Sequence, residues 1–288
     1  MRKVISFLLL SAFVLALATS CERRRKQDVI MLYPNWAEGI AITHLAKLLL
    51  EDNGYKVSLK RLEPGPIFTS LSRGDTDIYM DAWLPHTHKD YWIKYGDKLD
   101  IIGTAFDDGS TGLVVPSYVD INSIEELNAN KDRFGGKIYG IASGAGITVT
   151  TNNAIQEYNL ELDQLNSSET SMITALKKAV SRNEWIVITG WKPHFMWANF
   201  DLKLLDDPKN VYPADKLQIV SRKGFSKDKP ELTAFYNKFN LDETLLNELM
   251  ADVSADSDPM VGARVFYEKH KELLDTWISS KSDKKDIK

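Results

Sequence analysis

The chain has 288 residues, 43% hydrophobic and 26% charged, which is enough for two lobes with cores of their own and unlike a disordered or fibrous composition. Its formal net charge is −4, and it drops to −6 without Arg2 and Lys3, the only charged residues among the first twenty; that balance argues against a nucleic-acid partner. A single cysteine, Cys21, excludes an internal disulfide.

Residues 1–21 join a short basic start, an apolar run from Val4 to Ala18 and small residues before Cys21. This is the pattern of a secretory signal, too short for a comfortable membrane span. Cys21 is read as the lipidated first residue of a mature lipoprotein held on the extracytoplasmic face of the membrane. Secretion with a passive thiol is the alternative, because Leu17 lies one place further from Cys21 than the usual lipobox puts it. Arg23–Lys26 reads as a solvated tether able to touch anionic headgroups.

After the tether, strands and amphipathic helices alternate. Strand Val29–Tyr33 precedes a helix over about Glu38–Asn53 that stops at Gly54. Next come strand Lys56–Leu62, a helix around Ile67–Arg73 and strand Asp77–Trp83, a βαβαβ run that predicts a parallel sheet covered by helices. A short helix (His88–Tyr95) and strand Leu99–Ala105 lead to the polar stretch Asp107–Gly112, read as a hinge or crossover. A second lobe follows, with strand Lys137–Ala142, helices over Gly146–Tyr158 and Ser171–Arg182, and strand Trp185–Gly190. Leu217–Val220 marks the return crossing, helices over Lys229–Phe239, Asp242–Val253 and Pro259–Ile278 complete the first lobe, and Lys281–Lys288 is read as a frayed tail. The expectation is an α/β clamshell with two crossings, residues 28–110 and 215–288 in one lobe and 111–214 in the other, closing around a ligand.

Three segments share one design, an apolar strand ending in a tryptophan with a proline close by: Val29–Trp36, Asp77–Pro85 and Trp185–Pro193. Strand ends in α/β sheets are where ligands bind, so Trp36, Trp83 and Trp191 are expected to converge on one cleft. Three ring faces around a point attract a diffuse cation; core packing is the plainer alternative. Trp92, Trp185, Trp197 and Trp277 are read as packing. His88, five residues after Trp83, is placed to donate to an anion, or else it merely caps a helix; His86 is read as exposed. Gly140–Gly146 ends a strand and opens a helix, where free backbone N–H groups attract a carboxylate. It lacks the residues of a P-loop or a dinucleotide fingerprint, and a tight turn is the alternative. These features together describe a zwitterion with a bulky cationic head and a carboxylate tail. No common hydrolase or zinc motif occurs, no cofactor is implied, and His86, His88 and Asp81 match no usual metal spacing.

Asp-Ala-Trp-Leu-Pro-His-Thr-His, Ile-Thr-Gly-Trp-Lys-Pro-His-Phe-Met and Tyr-Gly-Ile-Ala-Ser-Gly-Ala-Gly, with Asp-Leu-Lys-Leu-Leu-Asp-Asp-Pro downstream, resemble the glycine betaine/proline betaine-binding proteins of osmoprotectant ABC transporters, and most of all the OpuAC-type lipoproteins. The resemblance runs over about residues 28–278. It implies a trimethylammonium cage of Trp36, Trp83 and Trp191, a carboxylate held by His88 and the amides of Gly140 and Ile141, a hinged two-lobe fold, and a permease with its ATPase as partners of a monomeric receptor. Choline or carnitine is the alternative ligand, with Asp81 and Tyr33 available to it. A secreted enzyme acting on a quaternary amine through His88 and Asp81 is the alternative of another class.

Overall fold

The computed structural model describes residues 28–278. The expected signal peptide with Cys21, the tether Arg23–Lys26 and the tail Lys281–Lys288 lie outside these residues.

The first lobe opens with β1 (Asp28–Tyr33), α1 (Ala37–Asp52), β2 (Lys56–Arg61), α2 (Pro64–Arg73), β3 (Ile78–Leu84) and α3 (Lys89–Tyr95). Strands β2, β1 and β3 are parallel neighbours. Helix α1 buries Ile42, Leu45, Leu48 and Leu49, the apolar stripe that makes it a helix against this sheet. It ends before Gly54, whose φ of 83° is the left-handed conformation that glycine adopts without strain. On the opposite face Ile67, Phe68 and Leu71 of α2 pack with Tyr79 and Ala82.

The second lobe contains β5 (Lys137–Tyr139), α4 (Gly146–Glu157), β6 (Asp163–Leu165), α5 (Glu169–Ser181), β7 (Ile188–Lys192), α6 (Met196–Asn199) and β8 (Leu202–Leu204). The chain then returns through β9 (Asp215–Arg222) to α7 (Phe225–Asp228), α8 (Pro230–Lys238), α9 (Glu243–Ser254), α10 (Pro259–Lys269) and α11 (Lys271–Asp275) in the first lobe. Side-chain caps start several of these helices: Ser168 accepts from Ser171 N, Asp242 from Leu245 N and Asp258 from Met260 N.

The lobes are joined through β4 (Leu99–Pro116), one strand of 18 residues. As far as Gly109 it pairs antiparallel with β9, and from Ser110 onward with β7 and β8. The order β2-β1-β3-β9-β4-β7-β5-β6 therefore carries both lobes on one sheet. Asp107–Gly112, read as a hinge or crossover, is the part of β4 that crosses between the lobes, and it is extended where the pairing passes from β9 to β7. Other boundaries move as well. The expected strand Trp185–Gly190 runs from Ile188 to Lys192, and the expected last helix breaks at His270. Among the described residues no helix is long and apolar enough to cross a membrane.

Candidate functional site

A small cavity lies between the lobes, lined by Trp36, Glu38, Trp83, Thr87, His88, Thr111, Ile141, Gly146, Ile147 and Trp191. Its three tryptophans come from three elements. Trp36 is the residue before α1, with extended φ and ψ of −116° and 148°, and its carbonyl accepts the first bond of that helix from Ile40 at 2.9 Å. It therefore follows its strand by three residues rather than ending it. Trp83 lies in β3 and Trp191 in β7, opposite Thr111 of β4.

Buried carboxylates hold two of the indoles. Trp83 Nε1 donates to Asp81 Oδ1 at 2.9 Å, a pair two residues apart on one strand and so directed to one side of it. Trp191 Nε1 donates to Glu38 Oε2 at 3.0 Å, from the second lobe to the first. Trp197 Nε1 donates to the carbonyl of Trp191 at 2.8 Å, so this tryptophan, expected only to pack, supports the wall. Trp185 packs with Phe134 under the guanidinium of Arg133, Trp277 packs on Phe239, and Trp92 is half-buried.

His88 is 1% exposed and stacks on Trp36 with ring centroids 6.0 Å apart. It exchanges two bonds with Trp83: its amide donates to Trp83 O at 2.8 Å, and its Nδ1 accepts from Trp83 N at 2.9 Å. An accepting Nδ1 leaves the proton of the neutral ring on Nε2, and that nitrogen is buried without a partner. Burial pushes the pKa of His88 down to about 3, which fixes the neutral form. The result is an N–H donor in the wall of the cavity. Asp215, at the start of β9, accepts from the amides of His86 at 2.6 Å and Thr87 at 2.9 Å and so fixes the loop that carries His88. His86 is exposed.

The glycine-containing turn supplies amides at a different place from the one expected. The Gly140 amide donates to Leu165 O at 3.0 Å, and Gly140 does not line the cavity. It is thus committed to β6, whereas Ile141 does reach the lining. Gly146 and Ile147 open α4, where first-turn amides have no intrahelical acceptor, and both line the cavity. A Cβ on Gly146 would stand 2.2 Å from Thr87 O, so glycine lets the two lobes meet here. Tyr91 Oη donates to Gly144 O at 2.9 Å, a further bond from lobe to lobe.

The cavity also has polar residues that the sequence pattern did not single out. Thr111 Oγ1 and Glu38 Oε1 are buried without partners. The pKa of Glu38 is raised well above the usual carboxyl range by burial first, then by the charges of Asp81 and Glu169. Asp81 is likewise raised by burial, against the lowering effect of its bond from Trp83, with Glu169 adding to the rise. Glu169 accepts from Ala37 N at 3.2 Å and contacts His194 Nε2 at 3.1 Å, while His194 stands edge-on to Trp191 at 4.7 Å. Asp81 is absent from the cavity lining, and Tyr33 packs on His44 instead. Among the described residues no group of three or more His, Cys, Asp or Glu is placed to hold a metal ion.

Comparison with known proteins agrees with this architecture. The chain is similar to lactococcal OpuAC, whose crystal structure is closed and complexed with glycine betaine (31% identity, TM-score 0.83, covering 88% of this chain and 100% of that one). It is also similar to the glycine betaine/L-proline-binding protein ProX of Borrelia burgdorferi (31% identity, TM-score 0.85, 89% and 98% covered). A glycine betaine/carnitine transport binding protein, GbuC of Listeria monocytogenes, is 40% identical over 144 residues, 49% of this chain, and that match spans about half (48%) of the relative's length. The OpuAC family model, the substrate-binding domain of ABC-type glycine betaine transport systems, matches residues 27–269, and the chain belongs to that family.

Proposed function

We propose that this chain is the extracytoplasmic receptor of an ABC importer and binds glycine betaine, proline betaine and similar quaternary ammonium zwitterions. The observation that carries this reading is one cavity walled by Trp36, Trp83 and Trp191 and by a neutral His88 whose Nε2 has no protein partner. The rings take the trimethylammonium, which offers no hydrogen bond and is held by ring faces. His88 Nε2–H donates to the carboxylate, and the amides of Gly146 and Ile147 are placed to join it in the role expected of Gly140 and Ile141. Desolvated cation–π contacts are worth about 2 kcal/mol each, so three rings supply roughly 6 kcal/mol before ordering costs. One charge-assisted hydrogen bond adds about 1.5–3 kcal/mol.

In this reading residues 28–110 with 215–288 and residues 111–214 move as two bodies, and the ligand holds them together. The protein works as a monomer, lipid-anchored through Cys21, and delivers its ligand to a permease and its ATPase. The family is one of transport receptors and not an enzyme class.

The test is a titration of the protein lacking residues 1–21 with glycine betaine and, separately, with choline, followed by tryptophan fluorescence. Saturable binding of betaine is expected, with loss in Trp83→Ala and in Trp191→Ala. If both variants bind as the parent does, the cage is wrong; if choline alone binds, the ligand class is. Labelling of cells with a radioactive fatty acid tests the anchor, since Cys21→Ser should abolish incorporation.

A further inference from the structure

Aromatic faces and apolar walls do not by themselves separate a quaternary ammonium from a neutral group of the same shape. A tert-butyl group has the outline of a trimethylammonium and buries as much apolar surface. Discrimination must come from charge.

The cavity has a carboxyl group able to supply one. Glu38 lies in its lining, 1% exposed, with Oε2 engaged by Trp191 Nε1 at 3.0 Å and Oε1 buried without a partner. Asp81 stands behind it, fully buried, with Oδ1 engaged by Trp83 Nε1 and Oδ2 unpartnered against the first turn of α1: a Cβ on Gly39 would be 2.6 Å from that oxygen. Glu169, from the other lobe, is a third acid within electrostatic reach of both. Among the described residues no Lys or Arg forms an ion pair with any of the three, and the basic side chain in contact is His194, against Glu169. Buried carboxylates are ordinarily paired with a cation because an unpaired one is costly. Among the described residues none is supplied for Glu38 or Asp81.

We propose that Glu38, backed by Asp81 and Glu169, is the specificity determinant for positive charge in this cavity, the quaternary ammonium being the counter-ion that Glu38 and Asp81 lack. Glu38 acts in two ways. One oxygen fixes the Trp191 ring across the lobes, and the other offers negative charge to the cation held between the rings. Closure brings this carboxyl from the first lobe against the tryptophan of the second. The inference rests on the reading that the cavity takes a quaternary ammonium, but not on which one.

The experiment compares each ligand with its carbon isostere: glycine betaine with 3,3-dimethylbutanoate, and choline with 3,3-dimethylbutan-1-ol. Glu38→Gln keeps an oxygen for Trp191 Nε1 and removes the charge. In the parent the cation binds more tightly than its isostere; in Glu38→Gln that ratio should fall at least tenfold, mostly through weaker binding of the cation. Ligand-free Glu38→Gln should melt higher than the parent, because a buried acid without a partner is gone; a purely structural residue would give a lower melting temperature. If cation and isostere weaken by the same factor, Glu38 only positions Trp191 and the proposal is overturned; an unchanged ratio overturns it equally. Asp81→Asn, which keeps an oxygen for Trp83, provides a second test should Glu38→Gln fail to fold: its ratio should fall at least threefold, and no fall overturns the acid cluster. A parent protein that binds neither betaine nor choline would refute the function proposed above, which is a different outcome.

Discussion

His88 has two nitrogens with separable tasks, and two amide substitutions divide them. Asparagine places an oxygen near the position of Nδ1, where it can accept from Trp83 N, but has nothing at Nε2. Glutamine reaches the position of Nε2 with an N–H donor but leaves Trp83 N without its acceptor. His88→Asn should therefore fold close to normally and lose the bond to a ligand carboxylate, about 1.5–3 kcal/mol, or roughly 10- to 150-fold in Kd for glycine betaine. Choline has no carboxylate, so its affinity should change by no more than about threefold. His88→Gln should keep most of the betaine affinity but cost about 1–3 kcal/mol of stability for a buried amide left unpaired. Calorimetric titration with both ligands, together with urea unfolding, reads all four quantities. Unchanged betaine binding in His88→Asn, or equal losses for betaine and choline, would refute the assignment of Nε2–H to the carboxylate.

Three further outcomes follow from contacts around the same cavity. Gly146→Ala should weaken ligand binding at least tenfold in a titration while the ligand-free melting temperature holds or rises, because the Cβ meets Thr87 O at 2.2 Å only when the lobes are together and alanine otherwise favours the helix. Asp215→Ala leaves the amides of His86 and Thr87 without their acceptor and should cost about 2–4 kcal/mol in urea unfolding, with weaker betaine binding from a loosened His88 loop. Stability of the ligand-free protein should depend on pH in two opposing ways. His88, at about 3 in the fold against 6.5 unfolded, makes stability rise with pH across that window, by up to about 1.4 kcal/mol per unit. Glu38 and Asp81, raised above their ordinary 4.5 and 3.8, keep protons that the unfolded chain releases, so they make stability fall as pH climbs past about 4. Denaturation from pH 4 to 9 should lose the rising contribution in His88→Asn and Glu38's share of the falling one in Glu38→Gln; a His88→Asn profile that matches the parent contradicts the buried neutral ring.

Much of the wall was legible in the sequence because it depends on local pattern. An alternating strand followed by a tryptophan and a proline puts an aromatic at the mouth of a sheet, and Trp83 and Trp191 carry that signature whatever lies around them. The rest depends on distant partners. Three glycines within seven residues, Gly140, Gly144 and Gly146, look equally able to present an amide; which one is spent is decided by β6, a three-residue strand, Asp163–Leu165, with no periodicity to announce it. Glu38 reads as an ordinary acid in the first turn of a helix, since its burial comes from Trp191, 153 positions away. Asp107–Gly112 reads as a hinge or crossover from its polar, glycine-containing composition, and only its pairing with β9 and then β7 makes it part of one long strand.

Strand β4 passes from one lobe into the other as one extended segment whose pairing changes from β9 to β7 between Gly109 and Ser110, and its Gly109 lies against the cavity wall: a Cβ there would be 3.0 Å from Cζ3 of Trp83. A joint of this kind behaves as a leaf spring rather than a free pivot. Its rest angle is set by sheet twist, so distances between spin labels on the two lobes of the ligand-free protein should be narrowly distributed, where a loop hinge would give a broad spread. Because the crossing touches an indole, a torque that parts the lobes also shifts one wall of the cavity.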